Sequence, residues 1–364
     1  MSSRRFKVLA VIAGLALTSC SAPEGNGPAG GKLAGAASNS AKKVKIVTES
    51  RWHSERLSLG DFVHTEIGGS LVAMPLAGGR KVLFDPPAGF ALGSEVAVAP
   101  GESRLAVTVG GGLYELAGDG SISLVDPDGA RTLAYVKVGS AVQLVWVGST
   151  DVGPVSKVKP TDYSLDLRTI DGGRVAKIDV PGRSNDRDFF SVVGSPNGSR
   201  IALSLFRESA DIPRALVVAG VSGGSLTGAE EISKVPGSAV RPVWVDESTL
   251  VASALGDDPI HHSAPGSVAI FRPGCRASAT TLATSVDLLN GLDARSVSEA
   301  PRLADGVGGF YTLANSTSDE DVTAKRAFWH HVSLSGEVTR TSVKYDFGAW
   351  AIALPLIEAP TRCP

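Results

Sequence analysis

The chain has 364 residues, 43% of them hydrophobic and 20% charged, with a formal net charge of −2. That balance excludes an intrinsically disordered chain, and acids interspersed with bases exclude the basic footprint of a nucleic-acid binder or electrostatic adsorption to anionic lipid. With three cysteines, it is also no densely cross-linked scaffold.

At the start, Arg4, Arg5 and Lys7 precede an apolar stretch over residues 8–17 that runs into Leu17-Thr18-Ser19-Cys20. The apolar core is too short to span a bilayer and fits a cleavable leader. The pattern resembles a bacterial lipoprotein signal, which implies cleavage before Cys20, acylation of its thiol and anchorage of the exported chain in the lipid bilayer at the outer face of the cytoplasmic membrane. Ser3-Arg4-Arg5-Phe6-Lys7 partly resembles a twin-arginine signal, with Sec export as the default. Residues 1–19 are thus expected to be the signal peptide. Residues 20–42 read as the lipidated cysteine and a flexible tether, since Ala, Gly, Ser, Pro and Asn cannot bury enough surface to offset ordering.

Residues 43–364 are expected to form one all-β domain. Short alternating runs broken by Gly, Pro, Asn and Asp turns continue from about residue 61 to residue 357, the pattern of half-buried strands. Five runs fall into a common register roughly 48–60 residues apart: Glu95-Val96-Ala97-Val98, Gln143-Leu144-Val145-Trp146, Ser191-Val192-Val193, Pro242-Val243-Trp244 and Pro301-Arg302-Leu303. A four-stranded unit at that period is the signature of a β-propeller blade, with each of these runs as the innermost strand. A β-sandwich offers similar strands without a fixed period. The next repeat lands on Ala349-Trp350-Ala351-Ile352-Ala353-Leu354, while three strands near 62–67, 71–76 and 81–84 lack an inner partner. Joining them gives a six-bladed propeller closed by strands from both chain ends, with Val44-Lys45-Ile46-Val47 as a possible seventh-blade strand.

With Cys20 acylated, Cys275 and Cys363 form an even remainder in an exported chain, so a disulfide between them is expected. Closing a loop of nearly 90 residues would contribute about 4–5 kcal/mol, near the seam of the ring.

Ser195-Pro196-Asn197-Gly198-Ser199-Arg200-Ile201-Ala202 resembles the blade repeat of TolB-like and WD40-like propellers. With Arg214-Ala215-Leu216-Val217-Val218-Ala219-Gly220-Val221 and Pro242-Val243-Trp244-Val245-Asp246, the stretch over roughly residues 90–275 is similar to the propeller half of LpqB-type actinobacterial lipoproteins. That resemblance implies an accessory role in the cell envelope, including contact with the outer domain of a sensor kinase. Those proteins carry a further globular domain before the propeller, where this chain has only the tether.

No catalytic set, cofactor site or metal site is expected. Gly220-Val221-Ser222-Gly223-Gly224 matches G-x-S-x-G, but a Gly-rich hairpin turn replaces the helix that a nucleophile elbow needs. His261-His262 and His330-His331 lack metal-ligand spacing, and neighbouring strand residues face opposite ways. Asp126-Pro127-Asp128-Gly129 and Asp319-Glu320-Asp321 read as solvated turns, and Trp146 and Trp244, at equivalent repeat positions, as interblade packing. The remaining candidate is a loop-rich face for an envelope protein partner, carrying Arg183, Asp186, Arg187, Arg207, Glu208, Asp211, Asp257, Asp258, His261 and His262, with residues 287–299 and 315–325 nearby. Its mixed charge and few aromatics suit a polar protein contact. The alternative is a propeller enzyme or a binder of a sugar, lactone or lyase substrate at the central channel, through Glu95, Gln143, Asp188, Arg241 and Arg302.

Overall fold

The computed structural model describes residues 45–138, 140–148, 167–171, 174–178, 189–206, 213–222, 224–232, 239–254, 267–271, 280–284, 303–314, 328–335, 337–346 and 348–356. They form six four-stranded antiparallel sheets arranged as the blades of a propeller. Blade 1 combines β1 (Phe62–Thr65), β2 (Leu71–Met74) and β3 (Lys81–Phe84) with the last strand, β24 (Trp350–Ile352). Blade 2 holds β4 (Leu92–Val98), β5 (Leu105–Val109), β6 (Gly112–Leu116) and β7 (Ile122–Asp126). Blade 3 holds β8 (Ala130–Val138), β9 (Ala141–Gly148), β10 (Leu167–Asp171) and β11 (Arg174–Lys177). Blade 4 follows with β12 (Phe189–Gly194), β13 (Ile201–Phe206), β14 (Pro213–Ser222) and β15 (Ser225–Ile232). Blade 5 contains β16 (Ala239–Trp244), β17 (Leu250–Ala254), β18 (Ser267–Phe271) and β19 (Thr280–Thr284), and blade 6 β20 (Leu303–Ala304), β21 (Gly309–Ala314), β22 (Phe328–Ser333) and β23 (Val338–Lys344). The innermost strands touch in sequence around the ring, β24 to β4, β8, β12, β16, β20 and back to β24.

The two-residue side-chain period explains how one sheet serves two neighbours. On β1, Phe62 enters the cluster shared with blade 6, whereas Val63 enters the cluster shared with blade 2. Likewise Leu133 and Tyr135 of β8 pack against blade 2, and Ala134 and Val136 against blade 4. Because both faces are covered, central strands such as β5 are buried along their whole length. Their sequences are accordingly apolar at successive positions, unlike a sheet with one wet face.

The expected closure from both chain ends is observed: β24 pairs antiparallel with β1 through Phe62 and Ile352, Val63 and Ala351, and His64 and Trp350. An aromatic cluster seals this seam. Phe62, Tyr311, Trp329, Tyr345 and Trp350 lie with neighbouring ring centroids 4.9–6.3 Å apart. Such edge-to-face and stacked geometries are favourable beyond their buried area.

Two sequence expectations about the strands are corrected. The innermost strand of blade 3 is β8, and the run Gln143-Leu144-Val145-Trp146 lies on the second strand, β9. Trp146 and Trp244 therefore occupy different blade positions, although Trp146 does pack between blades, in the cluster of blades 2 and 3. In addition, residues 45–49 are a short helix and not a seventh-blade strand. Ile46 is fully buried there against blades 1 and 2. The segment after it clasps the free edge of β3: Trp52 bridges Phe84, and His53 N–H donates to the Leu83 carbonyl at 2.8 Å. Trp52 Nε1–H and Ser54 Oγ then donate to the Ala117 and Gly118 carbonyls of blade 2, at 2.6 and 2.8 Å. An edge strand that would invite pairing with another chain is thereby covered.

The seam also carries a pH dependence. His64 is 2% exposed, stacked on Trp350 at 4.0 Å, with Nδ1 against the Ala349 carbonyl and Nε2 buried without a partner. Burial holds its pKa below the ordinary 6.5, against the opposing pull of that carbonyl, Asp346 and Glu66. His330 of β22 is lowered for the same first reason, with Arg340 adding to the effect. Both groups are therefore neutral in the fold where the unfolded chain takes up protons. Stability is fully present above about pH 6.5 and declines as the pH falls below it. Thermal melts from pH 7.5 to 5 should show this decline, and His64→Phe, which keeps the stacked ring, should flatten it. An unchanged slope in the variant would remove His64 from the explanation.

Candidate functional site

The six inner strands enclose a central channel with unlike ends. At their N-terminal ends, Ser94, Glu95, Arg131, Thr132, Ser191 and Tyr345 help to line a mouth of about 630 Å3. At their C-terminal ends the channel narrows to a throat of about 200 Å3, walled by Val98, Tyr135, Pro196, Trp244 and Leu354 among others. Thr132 is fixed across a blade boundary, its Oγ1 accepting the Val192 N–H at 3.2 Å. Ser191 Oγ is buried without a partner.

Glu95 is thus at the mouth, as expected for a channel residue. Gln143 is not: it lies on β9, where its side chain accepts from Thr169 Oγ1 at 3.4 Å, and Arg131 and Thr132 of β8 occupy the place foreseen for it. Asp188 and Arg302 lie outside the described residues, and for Arg241 only the backbone, on β16, is described.

All ten residues of the expected partner face, from Arg183 to His262, lie outside the described residues, as do residues 287–299 and 315–325. So do Cys20, Cys275, Cys363, Asp319, Glu320 and Asp321. The strand ends that flank the partner-face residues are described. Residues 149–166, 207–212, 255–266 and 315–327 join second to third strands, and 179–188, 233–238 and 285–302 join one blade to the next. With antiparallel strands in every blade, both kinds of connection start and finish at the mouth end of the channel.

The throat end is built from short turns that latch neighbouring blades. In blade 4, the turn Ser195-Pro196-Asn197-Gly198-Ser199-Arg200 bends at Gly198, whose φ of 73° is left-handed. A Cβ there would sit 2.8 Å from the Lys137 backbone nitrogen, which donates to the Gly198 carbonyl. Glu247, in the corresponding turn of blade 5 and 3% exposed, accepts from Asn197 N–H and, at 3.1 Å, from Ser199 Oγ. Arg200 donates to the Glu247 carbonyl and lies 4.8 Å over the Trp244 ring. Burial pushes the Glu247 carboxyl up and the Arg200 guanidinium down, each toward its neutral form.

The same device recurs one blade pair earlier. Arg104 lies 5.3 Å over the Tyr135 ring and reaches Glu115 Oε1 at 3.3 Å, which also accepts from Tyr135 Oη at 3.0 Å. Sequence reasoning found these turns as hairpins but missed the latch. The available signal was an arginine four residues after the proline in both Pro100 and Pro196 turns, with an aromatic side chain on the next inner strand.

Asp126 was expected in a solvated turn and is instead buried. Its Oδ2 accepts from Trp146 Nε1–H at 2.9 Å and from Arg168 at 2.7 Å, tying the outer strand of blade 2 to blade 3. Around Ser222 the expected hairpin is observed: Ser222 pairs with Ser225, and the strand β15 follows where an elbow requires a helix. His330 and His331 face opposite ways, His330 buried and His331 bonded through Nε2 to Asp305 Oδ2 at 2.7 Å.

Among solved structures, TolB from Acinetobacter baumannii superposes with a TM-score of 0.51 at 12% identity, over 81% of this chain and 67% of that one. The chain has the β-propeller fold of TolB. A prolyl endopeptidase (TM-score 0.45, 13% identity, 84% of this chain and 45% of that one) and an oligogalacturonate lyase from Vibrio parahaemolyticus (0.44, 13%, 73% of each chain) are more distant. No protein-family model and no curated protein sequence matches the chain.

Proposed function

We propose that this chain is an LpqB-type lipoprotein of the cell envelope, anchored through acylated Cys20 at the outer face of the cytoplasmic membrane, whose propeller is a non-enzymatic docking module for another envelope protein. The observation that carries the docking reading is the division of the ring. Connections longer than eight residues join strand ends only at the mouth side, in blades 3 to 6, whereas every connection at the throat side has eight residues or fewer. Variable, polar connections on a rigid scaffold are the usual seat of recognition. The leader supports the address, and the blade motifs support the envelope role.

Pull-down from intact envelopes tests the docking face. Replacing residues 183–188, 207–212 and 257–262 by short Gly-Ser linkers should abolish recovery of a partner that the unaltered protein captures. Equal recovery from both would sink the proposed face. Intact mass of the membrane-extracted protein, before and after reduction and alkylation, checks the anchor: an unacylated Cys20 would overturn the address.

A second reading rests on the mouth itself. Its volume lies in the range of small-molecule sites, roughly 300–1,000 Å3, and Glu95, Arg131 and four hydroxyl side chains suit a polar ligand such as a sugar or lactone. A thermal-shift screen separates the readings, because a ligand at 100 times its Kd adds about 2.7 kcal/mol of stability. Stabilisation by a sugar or lactone, lost in a Glu95→Gln variant, would favour the small molecule.

A further inference from the structure

Among the described residues, four of the eight large apolar side chains that are well exposed lie at the throat end of the ring: Leu59, Leu76, Val307 and Leu356, at 58%, 43%, 76% and 51%. Leu59 precedes β1, Leu76 lies in the turn between β2 and β3, Val307 in the turn between β20 and β21, and Leu356 follows β24. In these antiparallel sheets all four positions fall at that end, on blades 6 and 1, whose inner strands touch. Apolar side chains scattered singly over a surface need no explanation, but several gathered at one end mark a contact.

The backbone beneath three of them is pinned. Asp305 Oδ1 accepts from the Val307 and Gly309 N–H groups, both at 2.8 Å, its Oδ2 is bonded to His331, and Gly308 N–H donates to the Val245 carbonyl at 3.0 Å. Beside Leu59, Gly60 N–H donates to the Ala353 carbonyl at 2.7 Å, and Asp61 Oδ2 accepts from Ser58 N–H and Lys81 Nζ at 3.1 Å each. Leu356 rests on the blade 2 turn, where Gly101 N–H donates to the Leu354 carbonyl at 2.9 Å and a Cβ on Gly101 would come within 2.8 Å of the Leu356 Cβ. Side chains held out in this way lose little freedom when something covers them.

The path of the chain indicates what does. Residues 20–44 separate the acylated cysteine from the clasp, and a coil of about 25 residues reaches roughly 25–30 Å. The clasp then delivers the chain to the Leu59 turn at the throat end. A bilayer is thus an apolar phase that stays within reach of this end, while the docking connections at the opposite end must remain clear of lipid to meet a partner.

We propose that the throat end of the propeller lies against the bilayer, with Leu59, Val307 and Leu356 set into the boundary between headgroups and acyl chains. The proposal rests on the lipid anchor of the preceding reading and adds an orientation to it, with the mouth facing away from the membrane.

The test uses the full lipidated protein in phosphatidylcholine vesicles, with a diazirine-bearing residue replacing Leu59, Val307, Leu356, Ile67 or Val175, one at a time. Ile67, 78% exposed, lies in a mouth-side turn, and Val175, 45% exposed, on the outer strand of blade 3. All five side chains are exposed, so the replacements leave the fold intact. After flotation and irradiation, mass spectrometry should find several-fold more lipid adducts at the three throat positions than at Ile67 or Val175. Floated protein with adducts equal at all five, concentrated at Ile67, or absent overturns the orientation and leaves the anchor standing. Protein that does not float overturns the anchor and the orientation with it.

Discussion

Glu247→Ala should destabilise the propeller by about 2–4 kcal/mol, the cost of leaving two buried donors without their acceptor. The carboxylate accepts from Asn197 N–H and Ser199 Oγ of the preceding blade while facing Arg200. Alanine leaves a backbone donor and a hydroxyl without partners, and removes one of the carboxylates near the half-buried Arg200 guanidinium. In a chain of this size the loss corresponds to a fall in Tm on the order of 10 °C. Glu247→Gln should cost much less, under about 1.5 kcal/mol. The amide oxygen still accepts one bond, and a neutral side chain escapes the burial penalty that raises the carboxyl pKa. The sign of that penalty is opposite to a stabilising ion pair: a raised carboxyl contributes stability below its unfolded pKa and loses it as the pH rises. The glutamine variant should therefore lose least, relative to the parent, at neutral pH and more under acid conditions. Thermal melts of both variants at pH 5 and 7.5 check this, and an alanine variant melting with the parent would show that the latch carries no stability.

The turns of these latches were the part of the fold most legible in the chain. Pro100-Gly101-Glu102-Ser103-Arg104 and Pro196-Asn197-Gly198-Ser199-Arg200 mark hairpins by local chemistry alone, and between them they set the blade phase. Closure was legible for a related reason: a lone strand at 349–354 and three strands at 62–84 complete one sheet only by joining. Blade 3 misled the reading because β8 and β9 form a hairpin whose two strands alternate equally well. A strict spacing near 48 selected β9, yet the long connection over residues 149–166 falls inside that blade and displaces the register. At Val44-Lys45-Ile46-Val47 a β-branched run looks like a strand, but Ile46 only needs one buried face and a single helical turn supplies it. The buried roles of Asp126 and Glu247 had no local signal. Each is set by hydrogen-bonding groups 20 to 50 residues away, and a carboxylate in a turn is otherwise solvated by default.

A chain ending at residue 346, which lacks β24, should lose the folded monomer altogether, whereas one ending at residue 356 should retain the ring. The strand is short, pairing with β1 through three residue pairs, but its removal acts on three structures at once. Backbone groups of β1 from Phe62 to His64 lose their partners and present an open edge. Trp350 leaves the aromatic cluster, exposing Phe62, Trp329 and Tyr345, and removal of one large buried aromatic side chain alone typically costs about 3–5 kcal/mol. Channel walls at Trp350, Ala351 and Ile352 also disappear, which joins mouth to solvent along the whole seam. Size-exclusion chromatography with light scattering should show the shorter chain as aggregate or as oligomers closed by strand exchange. A synthetic peptide spanning residues 346–356 should restore part of the monomer by supplying the strand in trans. If the shorter chain instead runs as a monomer with the Tm of the longer one, blade 1 does not need its sequence-distant strand. The ring would then be held by the N-terminal clasp at Trp52 and by blade-to-blade packing alone.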